Sequence, residues 1–312
     1  MAAKSRVKLS SQIGAVLAAS LLLVPAAKSV TFDPFSEDST NVRVPHGKPY
    51  VYKQSGGEPR DLEVYFPPDW DPSKSKVPGI IFFHGGDWTG GNLNQFRYAC
   101  QYFANRGLVA ATVNYRMIPR EVRDGLPKGE SFKRACILDA KSAIRWMKQH
   151  AEELGVDPQR IITAGGSAGG HLAVVASAAK EINDPADPAG IDTGAQAFLL
   201  FNPNFKADDT GDLEADVQKY LTADLPPAIV FFGDQDSYLT YGAEAFSKLK
   251  SMRHSGMELW IAKGQPHGFF NNPPWQDVVL AEADRFLVEH GFLKGPCTLS
   301  VPQTGEKLIK SP

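Results

Sequence analysis

Gly165-Gly166-Ser167-Ala168-Gly169-Gly170-His171 decides how this 312-residue chain is read, because it sets a nucleophile among the glycines that a very sharp turn requires. The β-branched run 160–164 before it has the character of a buried strand, and 172–180 after it reads as a helix without breakers. A strand that turns straight into a helix through G-x-S-x-G forces its serine into a strained conformation and lifts the hydroxyl clear of the sheet. Flanking glycines are needed because a Cβ there would collide with neighbouring backbone. The hydroxyl also sits at a helix N-terminus, where free N–H groups favour developing negative charge. A glycine-rich turn that merely contains a serine is the alternative, and the strand-turn-helix context weighs against it.

The rest of the chain bounds the answer. With 43% hydrophobic residues it can build a full α/β core. Its 33 Lys+Arg and 35 Asp+Glu give a net charge of -2, so no broad basic field invites nucleic acid. Lys4, Arg6 and Lys8 precede an uncharged apolar stretch, 13–24, too short to span a bilayer comfortably and closed by Pro25. This is the pattern of a secretory signal peptide over 1–29, cleaved near Ser29, with an uncleaved anchor as the alternative. A secreted or periplasmic protein without stable membrane insertion is therefore expected. Cys100, Cys136 and Cys297 allow at most one disulfide; Cys100 and Cys136 lie in helical apolar patterns, and the sequence does not settle whether Cys297 pairs.

Residues 30–60 read as a linker ending in an edge strand at 50–53, and 61–66 alternates as a half-exposed strand should. Continuous apolar runs follow at 77–83, 108–113, 160–164, 197–201, 228–232 and 257–262. Such runs indicate strands covered on both faces, hence an α/β fold with a mostly parallel central sheet flanked by helices. Helices are expected at 95–106, 132–153, 170–182, 241–253 and 275–289. In the second, Phe132, Cys136, Ala140, Ala143 and Met147 define a buried stripe bordered by Asp139, for which Arg116 is the expected partner. No second core is evident, so 61–295 is expected to form one catalytic domain and 296–312 a tail. Only 26 residues separate Phe201 from Ala228, too few for a large helical lid.

Reactive elements gather where the chemistry of such a sheet gathers, beyond the carboxyl ends of its strands. His84-Gly85-Gly86, Ser167, Asp236 and His267 each follow closely on an apolar strand. A serine needs a base to take its proton as it attacks a carbonyl. His267, between Pro266 and Gly268 on the last loop, is the candidate, whereas His171 is expected to pack near the sheet. Asp236 is the candidate that orients the base, and Asp234 is read as a turn former. Backbone N–H groups of Gly85, Gly86 and Ala168 are candidate donors to the oxyanion. Trp88 and Trp275 are candidates to flank the substrate, with packing as the competing role. No H-E-x-x-H, paired C-x-x-C or P-loop is present, so neither metal nor nucleotide cofactor is expected.

These motifs, together with Asn114-Tyr115-Arg116 and Pro266-His267-Gly268-Phe269-Phe270, resemble the α/β-hydrolase superfamily over roughly residues 50–293. Within it the chain is most similar to esterases related to hormone-sensitive lipase and to secreted acetyl- and feruloyl-type carbohydrate esterases. The resemblance implies Ser167 as nucleophile, His267 as base, Asp236 as its orienter, and Gly85, Gly86 and Ala168 as oxyanion donors. Two departures stand out. Asp87 occupies a position where such families often have a third glycine, which is expected to narrow the loop or repel anionic acyl groups. Gly166 stands where relatives of hormone-sensitive lipase often have Asp, which favours the carbohydrate-esterase side. The implied activity is hydrolysis of short-chain esters, small or polysaccharide-borne, in the manner of an acetyl xylan esterase. A peptidase of the prolyl-oligopeptidase type and a binding protein that has lost catalysis are the alternatives. The first normally carries a long N-terminal propeller, and the second tends to lose the serine or histidine, both retained here.

Overall fold

A computed structural model describes residues 44–55, 57–127, 131–301, 305 and 307–312. The expected signal peptide, 1–29, lies outside the described residues.

The strand order is β1-β2-β4-β3-β5-β6-β7-β8-β9. β1 (Lys48–Ser55) and β2 (Glu58–Tyr65) form an antiparallel hairpin, and β2 joins β4 (Val109–Val113) antiparallel. From β4 through β3 (Val77–Phe83), β5 (Val156–Gly166), β6 (Ala197–Phe201), β7 (Ala228–Gly233) and β8 (Met257–Ala262) every pairing is parallel. The continuous apolar runs are thus the parallel strands, buried on both faces as their composition requires. Along β3 the period of two sends Ile81 and Phe83 to one face and Ile80 and Phe82 to the other, each into its own core.

Helix α1 (Arg97–Asn105) and α7 (Trp275–Glu289) pack on the second of these faces. On the first lie α3 (Lys133–Gln149), α5 (Ala168–Ala178) and α6 (Leu239–Ser251). The stripe of Phe132, Cys136, Ala140, Ala143 and Met147 is buried there as expected. Beside it, Asp139 is fully buried and takes two bonds from the Arg116 guanidinium, at 2.8 and 2.9 Å, and one from the Arg116 N–H at 3.0 Å. Lys53 Nζ, reaching in from β1, stands 3.2 Å from the same carboxylate.

Several boundaries differ from the sequence reading. The helix expected over 132–153 is divided at His150 into α3 and α4 (Ala151–Leu154), and α4 ends on Gly155 in the left-handed conformation. Helix α5 stops at Ala178, not at 182. Ala179 is extended, and its carbonyl accepts a bond from the buried Lys141 ammonium, which caps the helix end. A five-residue helix, α2 (Arg120–Asp124), lies between β4 and α3. The body also exceeds the 61–295 expected of it. β1 belongs to the sheet, and the tail returns as β9 (Leu308–Lys310), pairing antiparallel with β8. Cys100, Cys136 and Cys297 are free thiols.

Candidate active site

Ser167 joins β5 to α5 with φ 51 and ψ -114, a conformation that strains any residue with a side chain. Its surroundings leave it no other. The Ser167 N–H donates to Phe201 O at 3.0 Å, and its carbonyl accepts from the N–H groups of Gly170 and Asn204. A Cβ on Gly169 would overlap the carbonyl oxygen of Phe83, one on Gly165 would come within 2.7 Å of that oxygen, and one on Gly170 would stand 2.7 Å from Pro203. The glycines flanking the serine therefore let strand, helix and the next loop close on one another.

His267 follows β8 on a loop, and its Nε2 lies 3.0 Å from Ser167 Oγ. Its Nδ1 lies 2.8 Å from Asp236 Oδ2. Asp236 is fully buried in its side chain, and its other oxygen accepts from the Tyr238 N–H at 2.8 Å. Three residues predicted from three separate loops are thus brought into one hydrogen-bonded chain. Asp234 stands instead in the turn after β7, where its carboxylate accepts from the N–H of Gly264, in the turn after β8, at 2.7 Å. His171 is fully buried, with Nε2 at 3.0 Å from Ala215 O and its ring edge-on to Trp88. Burial pushes it down to about 3, and pushes the enclosed His84 down to about 4, so both imidazoles are neutral.

The loop after β3 is shaped by three successive positive φ angles, at Gly86, Asp87 and Trp88. Tyr115 explains part of its neighbouring motif, since its hydroxyl donates to His84 O at 2.7 Å while its ring stacks on the imidazole. No acceptor is found among the described residues for the N–H of Gly86, and the N–H of Ala168 is among the orphan donors that open α5. Gly85 requires a correction. Its N–H donates to Gln95 Oε1 at 2.7 Å in a buried bond, so it is not free for an oxyanion. Its missing side chain matters instead, because a Cβ would lie 3.1 Å from Gly166 O and 3.3 Å from Ser167 Cβ.

Trp88 and Trp275 are corrected as well. Trp88 is buried against Phe132 and His171 beneath the Lys133 ammonium, and Trp275 against Phe269. Neither lines the cavity of about 540 Å³ that opens over Ser167. Its walls are instead Gly85, Gly86, Asp87, Asn202, Tyr238 and Phe270, with Gln95 and Asn271 between them. Gln95 and Asn271 escaped the sequence reading. Gln95 Nε2 donates to Asn271 Oδ1 at 3.0 Å, and Asn271 Nδ2 to Gly268 O at 2.9 Å. Two amides thereby tie the loop after β3 to the loop of His267, 176 residues apart. Asn202 was also missed, although it follows an apolar strand just as the other site residues do. The carboxylate of Asp87 faces Arg123 at 3.2 Å. Burial, and then the charge of Asp87, raises the Tyr238 hydroxyl above its ordinary value. Among the described residues no cluster of metal-ligating side chains is present.

Known proteins share this fold. The BD-FAE family model matches residues 62–200. Apo Thermogutta terrifontis esterase 2 superposes with a TM-score of 0.72 at 35% identity, over 81% of this chain and 97% of its own. The chain belongs to the α/β-hydrolase serine esterases. In sequence, the esterase is 33% identical over 129 residues to esterase LipI of Mycobacterium tuberculosis, covering 41% of this chain and 37% of LipI. It is 31% identical over 211 residues to the probable carboxylic ester hydrolase LipM of the same organism, covering 58% of this chain and 46% of LipM. The esterase thus spans less than half the length of these two curated relatives.

Proposed function

We propose that this chain hydrolyses short-chain carboxylic esters through a Ser167-His267-Asp236 triad and a covalent acyl-enzyme. The observation that carries the reading is the chain of two hydrogen bonds, 3.0 Å from His267 to Ser167 and 2.8 Å from His267 to Asp236. With its Nδ1–H on Asp236, the imidazole presents a lone pair at Nε2 to the serine hydroxyl. The hydroxyl proton passes to Nε2 as Oγ bonds to the ester carbon, and the N–H groups of Gly86 and Ala168 face the resulting oxyanion. Nε2–H then protonates the departing alcohol oxygen. Water, deprotonated by the same Nε2, releases the acid and restores the serine.

Phe270 and Tyr238 line the cavity beside Ser167, which supports an apolar acyl group there. The connection between β6 and β7 holds only a 3₁₀ turn, Val217–Lys219, among its regular elements, which supports access for an ester carried on a larger body. Solved forms of Thermogutta terrifontis esterase 2 include propionate-bound, butyrate-bound and paraoxon-phosphorylated states. We extend short acyl chains and phosphorylation by paraoxon to this chain, with acetyl esters of polysaccharides as its substrate class. Export under the basic and apolar N-terminal segment is part of the same proposal. No helix among the described residues is long and apolar enough to cross a membrane.

Initial rates on p-nitrophenyl esters of increasing acyl length test the reading. Acetate is expected to be cleaved fastest, with kcat falling by at least about 10⁴-fold in Ser167→Ala. Activity surviving that substitution, or a preference for long chains, would refute it. Release of acetate from acetylated xylan, against none from the substituted enzyme, tests the substrate class.

A further inference from the structure

Asn202 stands directly after β6, fully buried, with φ 39. Asparagine tolerates the left-handed region better than most residues with a side chain, and its backbone is held there by a 2.7 Å bond from its N–H to Phe231 O. Its side chain touches the loop of His267 twice. Oδ1 accepts from the Gly268 N–H at 2.9 Å, and Nδ2 lies 3.3 Å from His267 Nε2. The first contact fixes the sense of the second. A backbone N–H can only donate, so the amide must turn its oxygen to Gly268 and its NH2 to the imidazole. An NH2 also only donates, so it requires a lone pair on Nε2, and the ring proton is then on Nδ1, facing Asp236.

We propose that Asn202 is a positioning residue for the hydrolytic reaction: from the side opposite Asp236, it clamps the His267 loop and selects the tautomer whose Nε2 faces Ser167 as a base. The inference rests on the reading of His267 as that base. Asn202 has a second effect after proton transfer. The new Nε2–H and the Asn202 NH2 then confront each other as two donors, which favours delivery of the proton to the departing oxygen. The other groups around the imidazole act elsewhere. Asp236 holds Nδ1, Ser167 shares Nε2, and Tyr238 lies ring to ring at 5.2 Å. The charges of Asp87 and Lys206 act, in opposite senses, on the Tyr238 hydroxyl.

Asn202→Asp keeps an acceptor for Gly268 and puts a carboxylate oxygen where the NH2 stood. That oxygen accepts from Nε2–H and so favours the protonated ring and the wrong tautomer. The acid limb of kcat/KM for p-nitrophenyl acetate is expected to move up by at least about one pH unit. Asn202→Gly suits the backbone angle and removes both contacts. It is expected to lower kcat about tenfold or more, with KM within about threefold. A carboxylate beside Nε2 raises the acid limb whatever Asn202 does in the native enzyme, so Asn202→Gly decides. Losing the NH2 that donates to the neutral ring should also move its acid limb up. A merely structural role would lower activity and leave that limb in place, and that outcome overturns the inference. Nitrogen NMR of wild-type enzyme labelled in its histidines decides independently of how the variants fold: a His267 ring carrying its proton on Nε2 at neutral pH also overturns it. His267→Ala separates the two readings. If that variant keeps wild-type activity, the base is misassigned and the inference falls with it; if it is inactive while the Asn202→Gly limb is unmoved, only the inference falls.

Discussion

A methyl group added at Gly169 would overlap the carbonyl oxygens of Phe83 and His84, and neither can retreat because both belong to the strand end and loop that face the serine. At Gly85 the same addition meets Gly166 O at 3.1 Å and Ser167 Cβ at 3.3 Å, where a few tenths of an ångström of movement suffice. The two substitutions should therefore part company. Gly169→Ala is expected to cost about 3 kcal/mol or more, read as a lowered urea midpoint or loss of soluble protein. Gly85→Ala is expected to fold, with kcat lowered about tenfold through displacement of Ser167 from its contact with His267. Equal midpoints for the two variants would refute this contrast. The meeting of Ser167, Asp236 and His267 was legible because each sits just past an apolar run, at the same edge of the sheet. Gln95 and Asn271 were not, since an amide pair joined across 176 residues leaves no spacing to recognise. Trp88 misled because its residue type is the same whether the indole faces solvent or core. Gly85 misled because a free N–H and one taken by a distant glutamine share one sequence.

At the scale of elements, α3 is joined to the sheet by a buried charge as well as by its apolar stripe. Asp139 on α3 receives Arg116 from beyond β4 and Lys53 from β1, so one carboxylate fixes three elements. Removing either member of such a pair strands the other in a medium that solvates it poorly. Asp139→Ala is expected to cost about 3–5 kcal/mol in unfolding free energy. In a double-mutant cycle with Arg116→Ala the coupling should exceed about 1 kcal/mol, and additive effects would dismiss the pair as a stabilising contact. The parallel strands were readable because burial on both faces demands unbroken apolar runs. The end of α5 was not. Ala178, Ala179 and Lys180 carry no breaker, and the stop comes from Lys141 on another helix. β9 was missed for a related reason, since three residues cannot display a period.

Over the whole molecule, the buried neutral histidines give stability a definite dependence on pH. His84 and His171 are held down to about 4 and about 3 by burial, against about 6.5 when unfolded. Below about pH 6.5 the unfolded chain therefore binds more protons than the folded one, and stability falls with pH until the folded values are reached. Each histidine should withdraw about 2 kcal/mol between about pH 7 and pH 5. Urea unfolding at the two pH values measures this loss, and His171→Gln should reduce it; no change in the substituted protein would show that His171 is not a source of it.

The far side of the sheet carries one more consequence. Without β9, the six residues of β8 would offer a row of unpaired N–H and C=O groups, the template along which separate copies of a protein add strand to strand. β9 covers Trp260, Ile261 and Ala262, the Ser311 N–H closes on Leu259 O at 2.7 Å, and Lys310 sets its ammonium 2.9 Å from Glu258. So short and charged a strand is itself a poor template. Clipping 307–312 is therefore expected to show first as turbidity in a concentrated solution rather than as lost turnover.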